Sequence, residues 1–358
     1  MLYLEAARDC KIMPSRIVLI GPFPAPIGGV SIHIRRLATL LGQSGIVISG
    51  IDESPLIKDE IYNIRSRRVI GYVRLIRSAD IIHIHSSVDM LRVFHMLAGF
   101  IFRKKIVVTL HSWRGRGKLI TLLQGFIFRR ISKLICVNEA IGSMFNYPNM
   151  IVKPAFLPPD MSTEERLPDY VVDWVDSHRK AGAFIIASNA FRLDRYQGLD
   201  LYGADMCIDL MSYLEGTDDR SAALVFVVAS LDRSQGIFDD YCKKIENLGL
   251  KEKILFIHEK NLSFARLIQS SDITLRATNT DGDALSIRES LHLARPVIAS
   301  DVVPRPPGTS LFRSRDQDDF NRTVYRVLGE VESKNNNHDL AKAEEYTKFY
   351  NSLYKNVV

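Results

Sequence analysis

The sequence predicts an α/β protein built from two doubly wound halves, each a parallel sheet with helices on its faces. Three observations carry that expectation. Short β-branched runs alternate with helix-period segments over residues 16–157 and again over 183–301, the strand–helix–strand rhythm of parallel sheets. Between the two series, Leu157-Pro158-Pro159-Asp160-Met161-Ser162-Thr163-Glu164-Glu165-Arg166-Leu167-Pro168 breaks the rhythm with prolines and acids, as a linker does. Within the second series, residues 271–301 read as one complete strand–turn–helix–strand unit.

At 358 residues the chain has room for two domains. Its 46% hydrophobic and 25% charged residues describe a folded globular protein and exclude a disordered one. No apolar run approaches the roughly 20 residues of a membrane span, and the opening MLYLEAARDCKIMPSR mixes acids and bases ahead of any apolar run, unlike a signal peptide. Cys10, Cys136, Cys207 and Cys242 are scattered without a C-x-x-C pair. They read as reduced thiols of a cytoplasmic protein, with neither a disulfide framework nor a zinc centre. Charge is divided unevenly: residues 1–160 hold 22 Lys and Arg against 10 Asp and Glu, and the remainder 25 against 31. The pI near 9.0 therefore belongs to the first half. Such asymmetry points to an anionic partner, either lipid headgroups or nucleic acid.

Residues 16–21 form the first expected strand, followed by a proline-rich loop with Gly28-Gly29 and a helix over 31–41 whose apolar face is Ile32, Ile34, Leu37, Leu40 and Leu41. The G-x-G-x-x-G spacing of a dinucleotide fingerprint is absent. The glycine pair serves either a ligand or a turn that lets the loop pack. A second strand covers 46–51. Residues 61–78 are basic and partly apolar, with Arg65, Arg67, Arg68, Arg74 and Arg77. The third strand, 80–85, places His83 and His85 on one face and ends at Ser86-Ser87. No third ligand accompanies the two histidines, so they read as a satisfied structural pair. A helix over 91–102 leads to a strand at 106–110 ending on His111-Ser112-Trp113, where an imidazole could donate to a hydroxyl. Residues 115–133 mix Leu119, Ile120, Leu122, Leu123, Phe126, Ile127 and Phe128 with Arg116, Lys118, Arg129, Arg130 and Lys133. That composition suits a helix on an anionic membrane surface, or a core helix with a basic exposed end. A strand at 134–137 follows, then Asn138-Glu139.

The second half opens with a strand at 183–188 running into Asn189-Ala190-Phe191-Arg192. Two glycine pairs follow, Gln197-Gly198 and Tyr202-Gly203; the second fits better, because a helix over 204–213 then starts immediately after it. Strands at 223–228 and 254–257 flank a helix at 239–248, and a short helix covers 262–270. After residue 301 come a rigid proline-rich loop, 302–308, and helices at 316–329 and 338–354 separated by the polar run 332–337.

The unit at 271–301 holds the chemistry. Residues 272–278 are a buried strand, 279–283 a polar turn, 284–294 a helix with Leu285, Ile287, Leu291 and Leu293, and 296–300 the next strand. The first amides of such a helix point outward unpaired, and its dipole adds positive charge, so a phosphate is at home there. Asp281 precedes the helix and Glu289 lies eight residues on. A carboxylate at the mouth can accept from sugar hydroxyls and one inside the helix from a ribose diol, together holding a nucleotide-diphosphate sugar at both ends. The plainer alternative is an amphipathic crossover helix with two solvated acids.

The block from Asp281 to Glu289, with Gly282 and Ser286, followed by an alanine-and-leucine helix and the Pro296-Val297-Ile298 strand, resembles the Glu-x7-Glu signature of the retaining GT-B glycosyltransferases of family 4. Asp281 stands where that family has its first glutamate. The resemblance implies two Rossmann-like domains facing a central cleft. Residues 1–160 would bind acceptor, 161–180 form the linker and first helix of the second domain, 181–335 bind donor, and 336–358 form a helix crossing back. By the same resemblance Gly28 and Gly29 lie near the transferred sugar, and His111 faces it from a stretch similar to the family's Thr-x-His-Asp. His85, Ser86 and Trp113 serve the acceptor. Asn189, Arg192, Arg195, Gly282, Asp283, Ala284, Leu285, Ser286 and Glu289 serve the donor, and His111, Asp281 and Glu289 form the catalytic set. The family's Lys-Gly pair lacks its lysine at both candidate positions. Either donor affinity is weakened or a different arginine replaces that lysine. Asp281-Gly282-Asp283 also spells the D-x-D of metal-dependent GT-A enzymes, but those have a single sheet; no metal and no cofactor are expected.

The implied activity is retaining transfer of a hexose-type sugar from a nucleotide-diphosphate donor to a glycan or lipid-linked saccharide acceptor. The implied setting is bacterial-type surface polysaccharide or lipopolysaccharide assembly, with the protein held peripherally on the inner face of the membrane by its basic half. A GT-B-shaped sugar-nucleotide epimerase and a degenerate, non-catalytic family member are the alternatives. Nucleic acid is not expected as a partner, because the basic segments alternate with aliphatics and carry few aromatics for base stacking.

Overall fold

The computed structural model describes residues 16–25, 27–113, 118–217, 220–282, 284–332, 348–350, 352–354 and 357. The chain divides into two compact units. The first comprises Met1–Pro22, Leu37–Lys153 and Phe349–Val358, and the second Phe23–Arg36 and Pro154–Lys348.

The first half of the chain runs β1 (Arg16–Gly21), α1 (Gly29–Gln43), β2 (Val47–Asp52), β3 (Tyr62–Asn63), α2 (Val69–Ser78), β4 (Ile81–Ile84), α3 (Asp89–Ile101) and β5 (Lys105–Leu110). It continues with α4 (Lys118–Phe128), β6 (Lys133–Cys136), α5 (Glu139–Gly142) and β7 (Met150–Val152). The seven strands are parallel and ordered β3-β2-β1-β4-β5-β6-β7. The central strands are continuous apolar runs because helices cover both faces: β1 is buried from Ile17 to Gly21 and β4 throughout. The chain moves outward from β1 through β2 to β3, then returns to place β4 on the other side of β1. The basic run at 61–78 proves to be three elements, the short strand β3, a 3-10 turn at Ile64–Ser66 and the helix α2. Of the helix expected over 115–133, residues 118–128 are α4; Arg116 and the Lys118 side chain lie outside the described residues.

The second unit is built from α6 (Asp169–Lys180), β8 (Phe184–Arg192), β9 (Arg195–Tyr196), β10 (Leu199–Asp200), α7 (Ala204–Glu215), β11 (Ala222–Ser230), α8 (Gln235–Asn247) and β12 (Ile254–His258). After these come α9 (Phe264–Gln269), β13 (Ile273–Arg276), α10 (Leu285–His292), β14 (Val297–Ser300), β15 (Ser310–Phe312) and α11 (Gln317–Glu332). Six parallel strands are ordered β12-β11-β8-β13-β14-β15. Strand alternation divides the core. Ile186, Leu224, Phe226 and Leu275 face α7 and α11 through Met211, Leu214, Phe320 and Val324, while Ile185, Ala187, Val225 and Val227 face α6 and α9 through Val171, Val175, Leu267 and Ile268. The hairpin β9–β10, turning at Gln197-Gly198, was not anticipated from the sequence. Of the last expected helix, 338–354, residues 348–350 and 352–354 are helical and the rest lie outside the described residues. No described helix is long and apolar enough to cross a membrane.

Candidate active site

In the second sheet the chain runs from β8 through β11 to β12 on one side, then resumes with β13 on the other side of β8. Adjacent strands whose connections depart in opposite directions leave a crevice at their carboxyl ends, where α/β sheets bind ligands. β8 ends in Asn189, Phe191 and Arg192, and β13 ends in Arg276 and runs on to Thr278 and Asp281. The central unit read from the sequence and the strand carrying Asn189 and Arg192 therefore meet at the crossover point.

Asp281 is the hub. Arg276 donates to it twice, Nε to Oδ2 at 3.0 Å and Nη2 to Oδ1 at 2.9 Å, and Arg305 Nη1 donates to Oδ2 at 2.8 Å. Thr278 Oγ1 donates at 3.2 Å and the Gly282 amide at 3.0 Å. Burial pushes this carboxyl upward, but Arg276 and then Arg305 overcome it and hold it at about 2. Two guanidiniums on one carboxylate leave the cluster with one net positive charge. Arg305, from the loop after β14, is further bound to the Ser300 carbonyl by Nε at 3.0 Å and is almost fully buried. Arg276 lies over the Tyr202 ring, 5.1 Å from its centre.

Tyr202-Gly203 directly precede α7, while Gln197-Gly198 sit at the hairpin tip. Tyr202 thus stands before the glycine that opens α7, and the cation against it is Arg276. Gly203 is obligatory: its φ is +72°, and a Cβ there would stand 2.1 Å from the Ala277 carbonyl oxygen. The amides opening α7 are taken by the chain itself, since Asp200 Oδ1 accepts from Tyr202 N at 2.8 Å, Gly203 N at 2.5 Å and Ala204 N at 3.2 Å. Asp200 Oδ2 accepts from Tyr241 Oη at 2.6 Å.

Glu289 lies on α10 and is buried against Arg36 of α1, with Nη2 2.6 Å from Oε1. Arg36 also donates to Glu164 Oε1 through Nε at 3.0 Å and Nη2 at 2.8 Å, and Glu164 Oε2 accepts from Arg35 Nη2 at 3.0 Å and Ser263 Oγ at 2.8 Å. The shared guanidinium favours Glu164. Its carboxyl is held low, whereas burial keeps Glu289 above its ordinary range despite Arg36. Nearby, His33 Nδ1 lies 3.1 Å from the Ala155 carbonyl, so Nδ1 carries the hydrogen. Burial, with a smaller contribution from Arg36, lowers this imidazole to about 4.

The other sequence-predicted residues of this unit fall around these clusters. Arg192 is half-exposed and pairs with Asp194 at 2.8 Å. Arg195 is exposed on the hairpin. Asn189 Oδ1 is buried without a hydrogen-bond partner among the described residues, a polar atom that costs free energy unless something donates to it. Ala284 caps α10 with no side-chain hydrogen bond, and Leu285, Ser286 and Glu289 follow within the helix. A Cβ at Gly28 would stand 3.4 Å from the Phe191 ring, and Gly29 is exposed. Asp283 lies outside the described residues. Arg36, Glu164, Asp200, Arg276 and Arg305 were missed by sequence reasoning. Arg36, Glu164 and Arg305 find partners far along the chain, which no local spacing announces, and only Arg276, three residues before the polar turn, sat where a motif could have drawn attention to it.

The first unit has its own crossover point, between β1 and β4, whose carboxyl ends carry Gly21 and His85-Ser86. His85 Nδ1 and His111 Nε2 are 3.1 Å apart, one donating to the other. Behind them His83 bonds Tyr354 Oη and, at 2.8 Å, Thr109 Oγ1, as a structural histidine does. Ser86 bonds the Val88 backbone at the start of α3. Trp113 packs on Phe145 and Phe128, with ring centres at 5.2 and 5.8 Å.

A scan against protein-family models found no match, and neither did a search of the curated proteins. Solved structures do match. The glycosyltransferase of Rickettsia africae is 15% identical over 96% of this chain and 99% of its own, with a TM-score of 0.69. Sucrose-phosphate synthase of Thermosynechococcus elongatus is 14% identical over 96% and 99%, with a TM-score of 0.65. Anabaena HepE, in complex with UDP and glucose, is 15% identical over 89% and 91%, with a TM-score of 0.61. With its two parallel α/β sheets, the chain has the two-Rossmann-like fold of the GT-B glycosyltransferases.

Proposed function

We propose that this protein is a retaining, family-4-type glycosyltransferase that takes a hexose from a nucleotide-diphosphate donor and passes it to a glycan or lipid-linked saccharide in surface-polysaccharide assembly. One observation carries the reading. The crossover point of the second sheet gathers a net-positive arginine–aspartate cluster, a further arginine at 192, a buried Asn189 oxygen with no donor among the described residues, and the start of α10, where Ala284 supplies no side-chain cap. Permanent positive charge held on a rigid carboxylate suits a diphosphate, whose charge grows as it leaves. In this reading Arg276 replaces the lysine missing before Gly203, and Asp281 acts by presenting Arg276. The carboxylate of Glu289 has lone pairs beyond those facing Arg36 with which to accept a ribose diol. No side chain is assigned as nucleophile; attack occurs on the face of the leaving phosphate. His111 donates to a sugar hydroxyl. The donor is a substrate, and no metal is required. The solved HepE complexes, with UDP and with UDP-glucose, supply the chemical precedent within the fold.

A second reading, a non-catalytic binding protein, is favoured by one specific feature: Asp200 occupies the α7 amides that an anion would otherwise use. A thermal-shift panel of UDP, GDP, dTDP, CDP and ADP, with and without Mn²⁺, separates the two. Stabilisation by one diphosphate without metal supports the transferase and names its base. Stabilisation only with Mn²⁺ revives the D-x-D reading. No stabilisation by any of them rejects the transferase in favour of the binding protein. With the base known, Glu289→Ala is expected to abolish transfer.

A further inference from the structure

In the first sheet α2, α3 and α4 connect β3 to β4, β4 to β5 and β5 to β6, all advancing in one direction across the sheet, whereas α1 advances in the other. Right-handed crossovers therefore put these three helices in one layer, on the opposite face from α1. The layer is internally tied. The rings of Tyr72 on α2 and Phe94 on α3 are 5.3 Å apart, and buried Arg92 of α3 donates to buried Gln124 of α4 at 2.8 Å. The inward faces are filled by Val93, Met96, Ile127 and Phe128.

A second apolar stripe points the other way on two of these helices. On α3, Met90, Phe94, Leu97 and Ile101 recur at steps of four, three and four residues, and Ile101 is 74% exposed. On α4, Leu119, Leu122, Leu123 and Phe126 recur at steps of three, one and three, with Leu119 80% and Leu122 72% exposed. Such stripes at helical spacing normally face a core; these face solvent. α2 adds Ile70, 78% exposed, with Arg74 and Arg77 on the same face one and two turns on. Cations edge the layer. Arg103 follows α3, Arg129 and Arg130 follow α4, and the Arg130 guanidinium lies 3.5 Å from the centre of the exposed Phe126 ring. Asp89, bound to Arg92 at 2.9 Å, is the only carboxylate in the three helices.

We infer that the outer face of α2, α3 and α4 is a docking surface for a bilayer rich in anionic lipid. Exposed aliphatic and aromatic tips enter the headgroup–acyl boundary while the flanking arginines meet phosphates, the division of labour of an interfacial helix. Charge decides against a second copy of the chain as the occupant, since two such faces would bring arginines against arginines with no carboxylates between them. The inference holds whether or not the second unit transfers sugar.

The test is co-sedimentation of the full chain with vesicles of equimolar phosphatidylcholine and phosphatidylglycerol, and with phosphatidylcholine alone, at low and high salt. Binding is expected to the anionic vesicles and to weaken with salt. Leu122→Ser and Phe126→Ser lie at exposed positions, so thermal unfolding should be unchanged while vesicle affinity falls about tenfold each. Arg129→Ala and Arg130→Ala should each cost about fivefold. The inference is overturned if the wild type stays in the supernatant, if the serine variants bind as well as wild type, or if those variants instead split a dimer in analytical ultracentrifugation.

Discussion

At the crossover point of the second sheet the side chains that matter are mostly guanidiniums and carboxylates, whereas the matching point of the first sheet presents imidazoles and hydroxyls. The two sheets share a topology, each built outward from its first strand and then resumed on that strand's other side. They differ in what the chain places at the ends of those strands. Asp281 fixes the directions of the Arg276 and Arg305 guanidiniums, which suits a partner of fixed negative charge. His85 and His111 form a donor–acceptor pair whose roles can exchange, which suits hydroxyls. Equivalent backbone geometry thus carries two kinds of recognition.

The comparison can be broken most severely at Arg36. Arg36→Ala strands the Glu289 carboxylate in the interior and leaves Glu164 to Arg35 and Ser263, and a loss of about 3–5 kcal/mol is expected in urea unfolding; adding Glu289→Gln should recover part of it. A loss under about 1 kcal/mol would show that these charges are not truly desolvated. Asp281→Asn comes next. It keeps the shape but unpairs two arginines, and about 2–4 kcal/mol should be lost together with most nucleotide-induced stabilisation. If nucleotide stabilisation survives unchanged, Asp281 does not present the arginines to a donor.

Acid tests the second unit through His33. Its imidazole is lowered from an ordinary 6.5 to about 4, so below pH 6.5 the unfolded chain binds a proton that the native state refuses. Stability should therefore fall between pH 6.5 and 4, by at most about 3 kcal/mol, and His33→Gln should flatten that slope. Loss through Asp281 begins lower, between 3.8 and about 2. Arg192→Ala, at a half-exposed position, should leave unfolding within about 0.5 kcal/mol of wild type while weakening diphosphate binding about tenfold. The smallest change belongs to the first edge: His111→Ala should leave nucleotide affinity untouched and lower only transfer, measured as kcat against KM.

Periodicity and composition by themselves determined that the chain forms two parallel α/β sheets, because strand and helix periods are local properties that each segment expresses without its neighbours. They located the unit around Asp281, the strand ending at Asn189 and Arg192, and the helix that Gly203 opens. They also raised the possibility that the residues now seen in α4 meet a membrane, while leaving a core helix equally open. What they could not contain is which charges meet. Arg36 lies 128 residues from Glu164, and Arg305 joins Asp281 from the far side of the next strand. Whether a carboxylate is solvated or saturated depends on such partners rather than on its own spacing. The same limit applies to α3 and α4, since periodicity does not tell which apolar stripe of a helix faces the sheet and which the folded layer turns outward. Tertiary structure decides these questions because desolvation and pairing arise only once distant segments exclude water together.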